Sequence, residues 1–93
     1  VYLPGSEGHL VIEPGGRIGI SQASPRGFYR PSVDVLFESA AASPLAAQSI
    51  AVLCTGMGAD GAAGLRALCT AGALTLVQAP EHCAVASMPA RAI

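Results

Sequence analysis

Between Ile50 and Val77 the chain runs through an apolar stretch, a glycine-rich corner, an amphipathic stretch and a second apolar stretch with only short connections, and this order leaves few folds open. Ile50-Ala51-Val52-Leu53-Cys54 has no polar member, as expected of a strand covered on both faces of a parallel sheet. A helix is predicted from about 60 to 71, with Leu65, Leu68 and Cys69 on one side and Gly72 at its C′ position. Ala73 to Val77 supplies the next strand, with Thr75 as its only polar residue. Strand, helix and strand in this order form the βαβ unit, which implies a right-handed crossover and parallel strands.

Upstream, the pattern changes. Leu10-Val11-Ile12 is a short apolar run, Pro14-Gly15-Gly16 signals a turn, and Arg17 to Ser21 alternates with period two, which together predict a hairpin. Residues 22 to 31 are rich in proline and glycine and read as a loop. Val33, Leu36, Phe37, Ala40 and Ala41 then recur at helical spacing, with Ser32 as the expected N-cap, Asp34 in the first turn and Pro44 as the stop. Beyond Val77, Gln78-Ala79-Pro80 is a predicted loop. Residues 81 to 86 read as a short helical turn, and Ser87-Met88-Pro89 as the start of a further helix.

A chain of 93 residues is one domain at most, so any large sheet within it is short of strands. Apolar residues make up 52% of it, yet no uninterrupted apolar stretch is long enough to span a membrane, so no membrane insertion is expected. The surplus apolar surface points to packing against another copy or another chain. The opening Val1-Tyr2-Leu3-Pro4-Gly5 has neither the basic segment nor the apolar segment of a signal peptide and reads as chain entered midway. The stop at Ile93, soon after a helix start, reads the same way. Five arginines spread along the chain, with no lysine, do not form the basic footprint of a nucleic-acid site. Cys54, Cys69 and Cys83 are odd in number and fail the close-paired zinc spacings. Cys54 and Cys69, set in apolar segments, are expected as reduced, buried thiols of a cytoplasmic protein.

The chemistry concentrates in Thr55-Gly56-Met57-Gly58-Ala59-Asp60-Gly61, at the carboxyl end of a predicted parallel strand, where α/β proteins bind their ligands. Glycines there allow close backbone approach and leave the amides of Met57, Gly58 and Ala59 available to a negative atom. Asp60 is the only acid of the corner. Beside a helix start it suits an acid that orients a histidine, and it equally suits a residue that merely caps the second helix. Gly56-x-Gly58-x-x-Gly61 also matches a short dinucleotide fingerprint. The following strand, however, ends Val77-Gln78-Ala79 without the acidic residue that would hold a ribose, and a carboxylate at 60 would repel a pyrophosphate. Elsewhere, Ser32 and Ser87 read as helix caps, Ser39 and Ser49 sit in no elbow, and His9 and His82 read as surface or structural residues. Arg30 is free either to pair with Asp34 or to guide an acidic partner.

Arg30-Pro31-Ser32-Val33-Asp34-Val35-Leu36-Phe37, the stretch from Leu53 to Leu65 through Thr55-Gly56-Met57-Gly58-Ala59-Asp60-Gly61, Ala71-Gly72, Gln78, and Met88 to Ile93 occur in the order and spacing of one family. With them the chain resembles, over essentially its whole length, the C-terminal half of the catalytic domain of the chemotaxis protein-glutamate methylesterases, the CheB family. The resemblance implies an α/β fold in which residues 1–93 form part of a doubly wound parallel sheet with one βαβ unit and an N-terminal hairpin, three-layered when complete. It also implies a serine hydrolase that cleaves glutamate γ-methyl esters on the cytoplasmic helices of methylated chemoreceptors, and in many members deamidates glutamine. By motif match, Asp60 is the acid of a Ser-His-Asp triad and the backbone amide of Met57 contributes to the oxyanion hole. No metal or organic cofactor is implied, and an upstream phosphorylatable receiver domain is the usual companion.

The family's nucleophilic serine and catalytic histidine belong to motifs upstream of the matched segment, so Asp60 and Met57 are the site residues expected here. Ala79 stands where the family usually has an acidic or amide residue, Ser87 where it usually has glycine, and Tyr29 where many members have histidine. A non-catalytic remnant or interaction module of the same fold is the alternative reading.

Overall fold

The computed structural model describes residues 1–3, 8–27, 29–54 and 59–79. Two strands come first: β1 (His9–Ile12) and β2 (Ile18–Ser21) pair antiparallel, with Leu10 opposite Ile20 and Ile12 opposite Ile18. Their turn closes where expected. The Glu13 amide donates to the Arg17 carbonyl, the Gly16 amide donates to the Glu13 carbonyl, and Gly16 takes φ 86°, a conformation that favours glycine.

Helix α1 (Val33–Ala41) follows a loop whose Arg30–Pro31 peptide bond is cis, with Ser32 as its N-cap. A 3-10 turn over Ala46–Gln48 leads into β3 (Ile50–Leu53), then α2 (Ala62–Thr70) and β4 (Leu74–Val77). β3 and β4 are parallel, with Ile50 opposite Leu74 and Leu53 opposite Val77. The predicted βαβ unit is therefore present. Gly72 ends α2 with φ 99°; its amide donates to the Cys69 carbonyl and the next amide, of Ala73, to that of Leu68. This pair of bonds satisfies two carbonyls the helix end would otherwise leave open.

Ala51 and Leu53 on β3, Leu65 and Leu68 on α2, and Ala73 form the core, and α1 lays Val33, Phe37, Ala40 and Ala41 against it. Burying a side chain such as Leu68 stabilises the fold by about 1.5–3 kcal/mol. Two helices thus share one face of the β3–β4 sheet. On their other side, α1 meets the hairpin. Ser39 on α1 accepts from the Ile12 amide at 2.9 Å and donates to the Leu36 carbonyl, which ties the end of β1 to the helix.

The strand expected to be covered on both faces is covered on one. Burial alternates along β3, and Ile50, Val52, Leu74 and Leu76 are exposed on the opposite face of the sheet, at 67%, 51%, 57% and 49%. An apolar run records that both faces are suited to burial; it does not supply the layer that buries them. The two thiols follow from this geometry. Cys54 continues the bare-face positions of Ile50 and Val52, and Cys69 lies one residue past the buried stripe of Gly64, Leu65 and Leu68, so both are exposed rather than buried. The readings placed on Cys83, on 81 to 86 and on the helix start at Ser87 lie outside the described residues. Among the described residues, no helix is long and apolar enough to cross a membrane.

Candidate active site

A helix start leaves its first amides without partners inside the helix, and α1 and α2 both begin at the same corner of the fold. At α1, the Val35 amide is taken by the side chain of the N-cap Ser32, at 3.4 Å. The amides of Val33 and Asp34 are taken by Asp60, a residue from the other end of the cluster. Asp60 Oδ2 accepts from Val33 N at 2.7 Å, and Oδ1 accepts from Asp34 N at 2.9 Å and from the Ser32 hydroxyl at 2.8 Å. Asp60 is 7% exposed. It is buried where β3 hands over to α2, and three donors fix the orientation of its carboxylate.

The reading of Asp60 as a cap of the second helix requires correction. The N-cap of α2 is Gly61, with φ 101°, and its hypothetical Cβ would lie 2.9 Å from Leu53 Cδ1. That corner requires glycine. Asp60, one residue earlier, is directed away from α2 and caps α1. The acceptor for α2 comes from α1 in return: Asp34 Oδ1 accepts from Gly61 N at 3.1 Å and from Gly64 N at 2.7 Å. Each carboxylate therefore lies at the positive end of the other's helix, an arrangement favourable to both charges.

His9 backs this corner from the hairpin. It is fully buried, with Nδ1 accepting from the Ser32 amide at 3.1 Å and Nε2 lying 3.1 Å from the Ser24 carbonyl. A backbone N–H can only donate and a carbonyl can only accept. The ring is therefore the neutral tautomer with its proton on Nε2. Its structural reading is the one realised, though as a fully buried brace rather than a surface group.

Arg26 and Glu38 form a bidentate pair at 2.6 and 2.9 Å on the outer side of α1. The Arg26 guanidinium is raised above its ordinary value mainly by Glu38, with smaller contributions from the fields of Asp34 and Asp60, and Arg26 holds the Glu38 carboxyl below its ordinary value. This is the ion pair found among the described residues. Arg30 does not take the Asp34 partnership considered from sequence, since the Asp34 carboxylate accepts its two described bonds from amides of the α2 start. A groove of about 210 Å3 lined by Leu10, Pro31, Val33 and Leu36 borders Ser32, on the hairpin side of the cap.

Of the residues singled out from sequence, Asp60 is brought together with Ser32, Asp34 and, through Ser32, His9. Met57, with Gly56 and Gly58, lies outside the described residues, as does His82. The dinucleotide reading loses an element it needs, because the Gly61 amide is held by Asp34. Sequence reasoning recognised Ser32 and Asp34 only as local features of α1. The available signal was Ser-x-Asp at one helix start followed by Asp60-Gly61 at a second, but nothing local specifies that the carboxylates cross.

A buried, triply bonded acid at the carboxyl end of a parallel strand, flanked by two helix N-termini, defines an α/β protein with a polar site at its strand ends. All 93 residues match the family described as CheB methylesterase, and the chain belongs to that family. It is 47% identical over 97 residues to the protein-glutamate methylesterase/protein-glutamine glutaminase of Bordetella pertussis, an alignment covering 100% of this chain and 27% of that protein. To the protein of the same name from Chromohalobacter salexigens it is 44% identical over 95 residues, covering 99% of this chain and 27% of the relative. The chain thus spans about a quarter of the length of the curated relatives it matches. Among solved structures, the Thermotoga maritima CheB methylesterase catalytic domain superposes with a TM-score of 0.83 at 27% identity, covering 92% of this chain and 47% of that one. The α/β fold expected from sequence is the fold observed.

Proposed function

We propose that this chain is the C-terminal portion of a protein-glutamate methylesterase catalytic domain and that Asp60 is the acid of its Ser-His-Asp triad. The observation that carries the reading is the buried Asp60 carboxylate, held by Ser32, Val33 and Asp34 at the end of β3 within a chain whose whole length matches the family. Among the described residues, Oδ1 takes two of the three bonds and Oδ2 takes one. A carboxylate has about four acceptor positions, so the bonds from the described residues leave Oδ2 room to accept the Nδ1–H of a histidine.

In this reading the serine attacks the carbonyl carbon of a glutamate γ-methyl ester, and its proton passes to the histidine and then to the departing methoxide, which leaves as methanol. Water hydrolyses the acyl-enzyme by the same route in reverse roles. Asp60 keeps the histidine in the tautomer that accepts at Nε2 and stabilises the imidazolium as it forms. The Met57 amide donates to the tetrahedral oxyanion, a contribution of about 3 kcal/mol in comparable hydrolases. The same steps with ammonia as leaving group convert glutamine to glutamate.

The substrate in this reading is the methylated cytoplasmic helix of a chemoreceptor, which sets the protein in the cytoplasm, with a receiver domain as the upstream companion. The bare face carrying Ile50, Val52, Leu74 and Leu76 is then where the remainder of the sheet's covering layer packs. The test is methanol release from methylated receptor by the full-length polypeptide, before and after Asp60→Ala. Loss of the triad acid is expected to lower kcat by about 10⁴-fold. An unchanged rate removes Asp60 from the triad.

A further inference from the structure

The reciprocal capping gives a second acid a part in the same site, and this inference rests on the proposed role of Asp60. We propose that Asp34 is a positioning residue for Asp60: it never meets the substrate, and it sets where the triad acid stands. Two bonded paths lead to that conclusion.

The first runs through the backbone. Asp34 Oδ1 accepts from the amides of Gly61 and Gly64, the residues that open α2 directly after Asp60. Gly61 has a left-handed φ of 101° and turns the chain between Asp60 and the helix. Two bonds from one oxygen to amides on either side of that first turn fix both the turn and the Cα of the residue before it. The second path runs through the carboxylate. The Asp34 amide donates to Asp60 Oδ1 at 2.9 Å, beside the Ser32 hydroxyl on the same oxygen. A single residue thus sets the main chain that carries Asp60 and binds one of its two side-chain oxygens.

The packing keeps this geometry from relaxing. A Cβ built on Gly64 would lie 2.6 Å from Phe37 Cβ and 3.1 Å from both Asp34 Cα and Oδ1, so α1 and α2 approach as closely as their backbones allow. Asp34 is buried, at 8% exposure, and both its described acceptor bonds come from α2. A side chain one methylene longer would push Gly61 away, and Asp60 with it. Misplacement of a reacting group by about 1 Å costs on the order of 10²-fold in rate.

The experiment uses the full-length polypeptide, with methanol release from methylated receptor as the assay. Asp34→Glu is the principal variant, because it keeps the charge and a helix-compatible side chain while displacing the acceptor. The expected result is a kcat at least tenfold lower with KM within twofold. The acid limb of the kcat/KM profile should also move to lower pH by about half a unit, since a histidine less firmly paired with a carboxylate loses its proton more readily. Asp34→Asn retains an oxygen able to accept both amide bonds and is expected to recover most of kcat. A general loss of structure would not move the pH limb and would not be rescued by the amide. Full kcat in Asp34→Glu with an unmoved limb overturns the proposal even when Asp60→Ala abolishes activity. An active enzyme indifferent to Asp60→Ala overturns both this inference and the reading beneath it. If Asp34→Glu fails to fold, Asp34→Ala, which removes the acceptor for the Gly61 and Gly64 amides, decides: a kcat at least tenfold lower with the acid limb moved to lower pH upholds the acceptor role, and the parent kcat with an unmoved limb overturns it.

Discussion

Asp34 and Asp60 cap each other's helices: the carboxylate of Asp60 receives the first amides of α1, and that of Asp34 receives amides of Gly61 and Gly64 at the start of α2. The exchange buries two acids without leaving any buried polar side-chain atom of the described residues unpaired. It also joins the hairpin side of the fold to the βαβ side, since Ser32 is held in turn by His9.

Removing Asp60 therefore has a cost that precedes catalysis. Asp60→Ala leaves the Val33 and Asp34 amides and the Ser32 hydroxyl without their acceptor in a buried place, and is expected to destabilise the fold by about 3 kcal/mol. Asp60→Asn keeps one acceptor oxygen and should cost less. Urea midpoints of the two variants against the parent measure the difference; equal midpoints for all three would contradict the capping of α1.

His9 makes a prediction about a proton. Two-bond nitrogen–proton correlations from its ring should show Nδ1 unprotonated and Nε2 carrying the hydrogen, because the partners are an amide donor and a carbonyl acceptor respectively. His9→Ala opens a cavity and orphans the Ser32 amide, for an expected loss of about 3 kcal/mol. A ring found protonated at Nδ1 alone would contradict the bonding described.

The close approach of the helices is tested by Gly64→Ala. In an exposed helix this change gains about 1 kcal/mol of propensity. Here the new Cβ meets Phe37 and Asp34, so a net loss of about 2 kcal/mol is expected, whereas Gly15→Ala, whose Cβ has nothing within 4 Å, should stay within about 0.5 kcal/mol. Thermal unfolding of the two variants side by side is the measurement. A stabilised Gly64→Ala protein would place α1 and α2 further apart.

The Arg26–Glu38 pair supplies a pH dependence whose sign is fixed. Arg26 lowers the Glu38 carboxyl below its ordinary 4.5 in the folded state. The pair's stabilisation is thus fully present above the unfolded value and is lost as pH falls through the folded one. Both side chains are partly exposed, so the effect is small and screened by salt. Comparing Glu38→Gln with the parent at pH 6 and at pH 2.5 should give a lower melting temperature for the variant at the first and a smaller difference at the second. A difference that grew on acidification would contradict the pairing.

What was legible in the sequence was whatever a local pattern encodes. The period-two run with Pro14-Gly15-Gly16 became the hairpin, the stripe from Val33 to Ala41 became α1, and the apolar runs around Asp60 became β3 and β4. Asp60 was also singled out, because a lone acid in a glycine corner after a strand stands out, and the structure buries it there. The unread parts are those decided by tertiary geometry. Nothing in the neighbourhood of Asp60 says that its carboxylate crosses to Val33, and nothing near His9 says that its ring backs a helix cap over twenty residues away. Cys54 and Cys69 were expected inside because hydrophobicity marks suitability for burial, whereas exposure depends on which face of the sheet or helix a neighbour covers.

The most direct measurement is the crystal structure of the full-length polypeptide, read at one distance: that from the Asp60 carboxylate to the Nδ1 of the nearest histidine outside this segment. A separation of about 3 Å, with the Ser32, Val33 and Asp34 donors still in place on the other sides of the carboxylate, is the expected result. No histidine ring within about 6 Å of Asp60 in a catalytically active, methanol-releasing protein would contradict it and leave Asp60 as a brace between two helices.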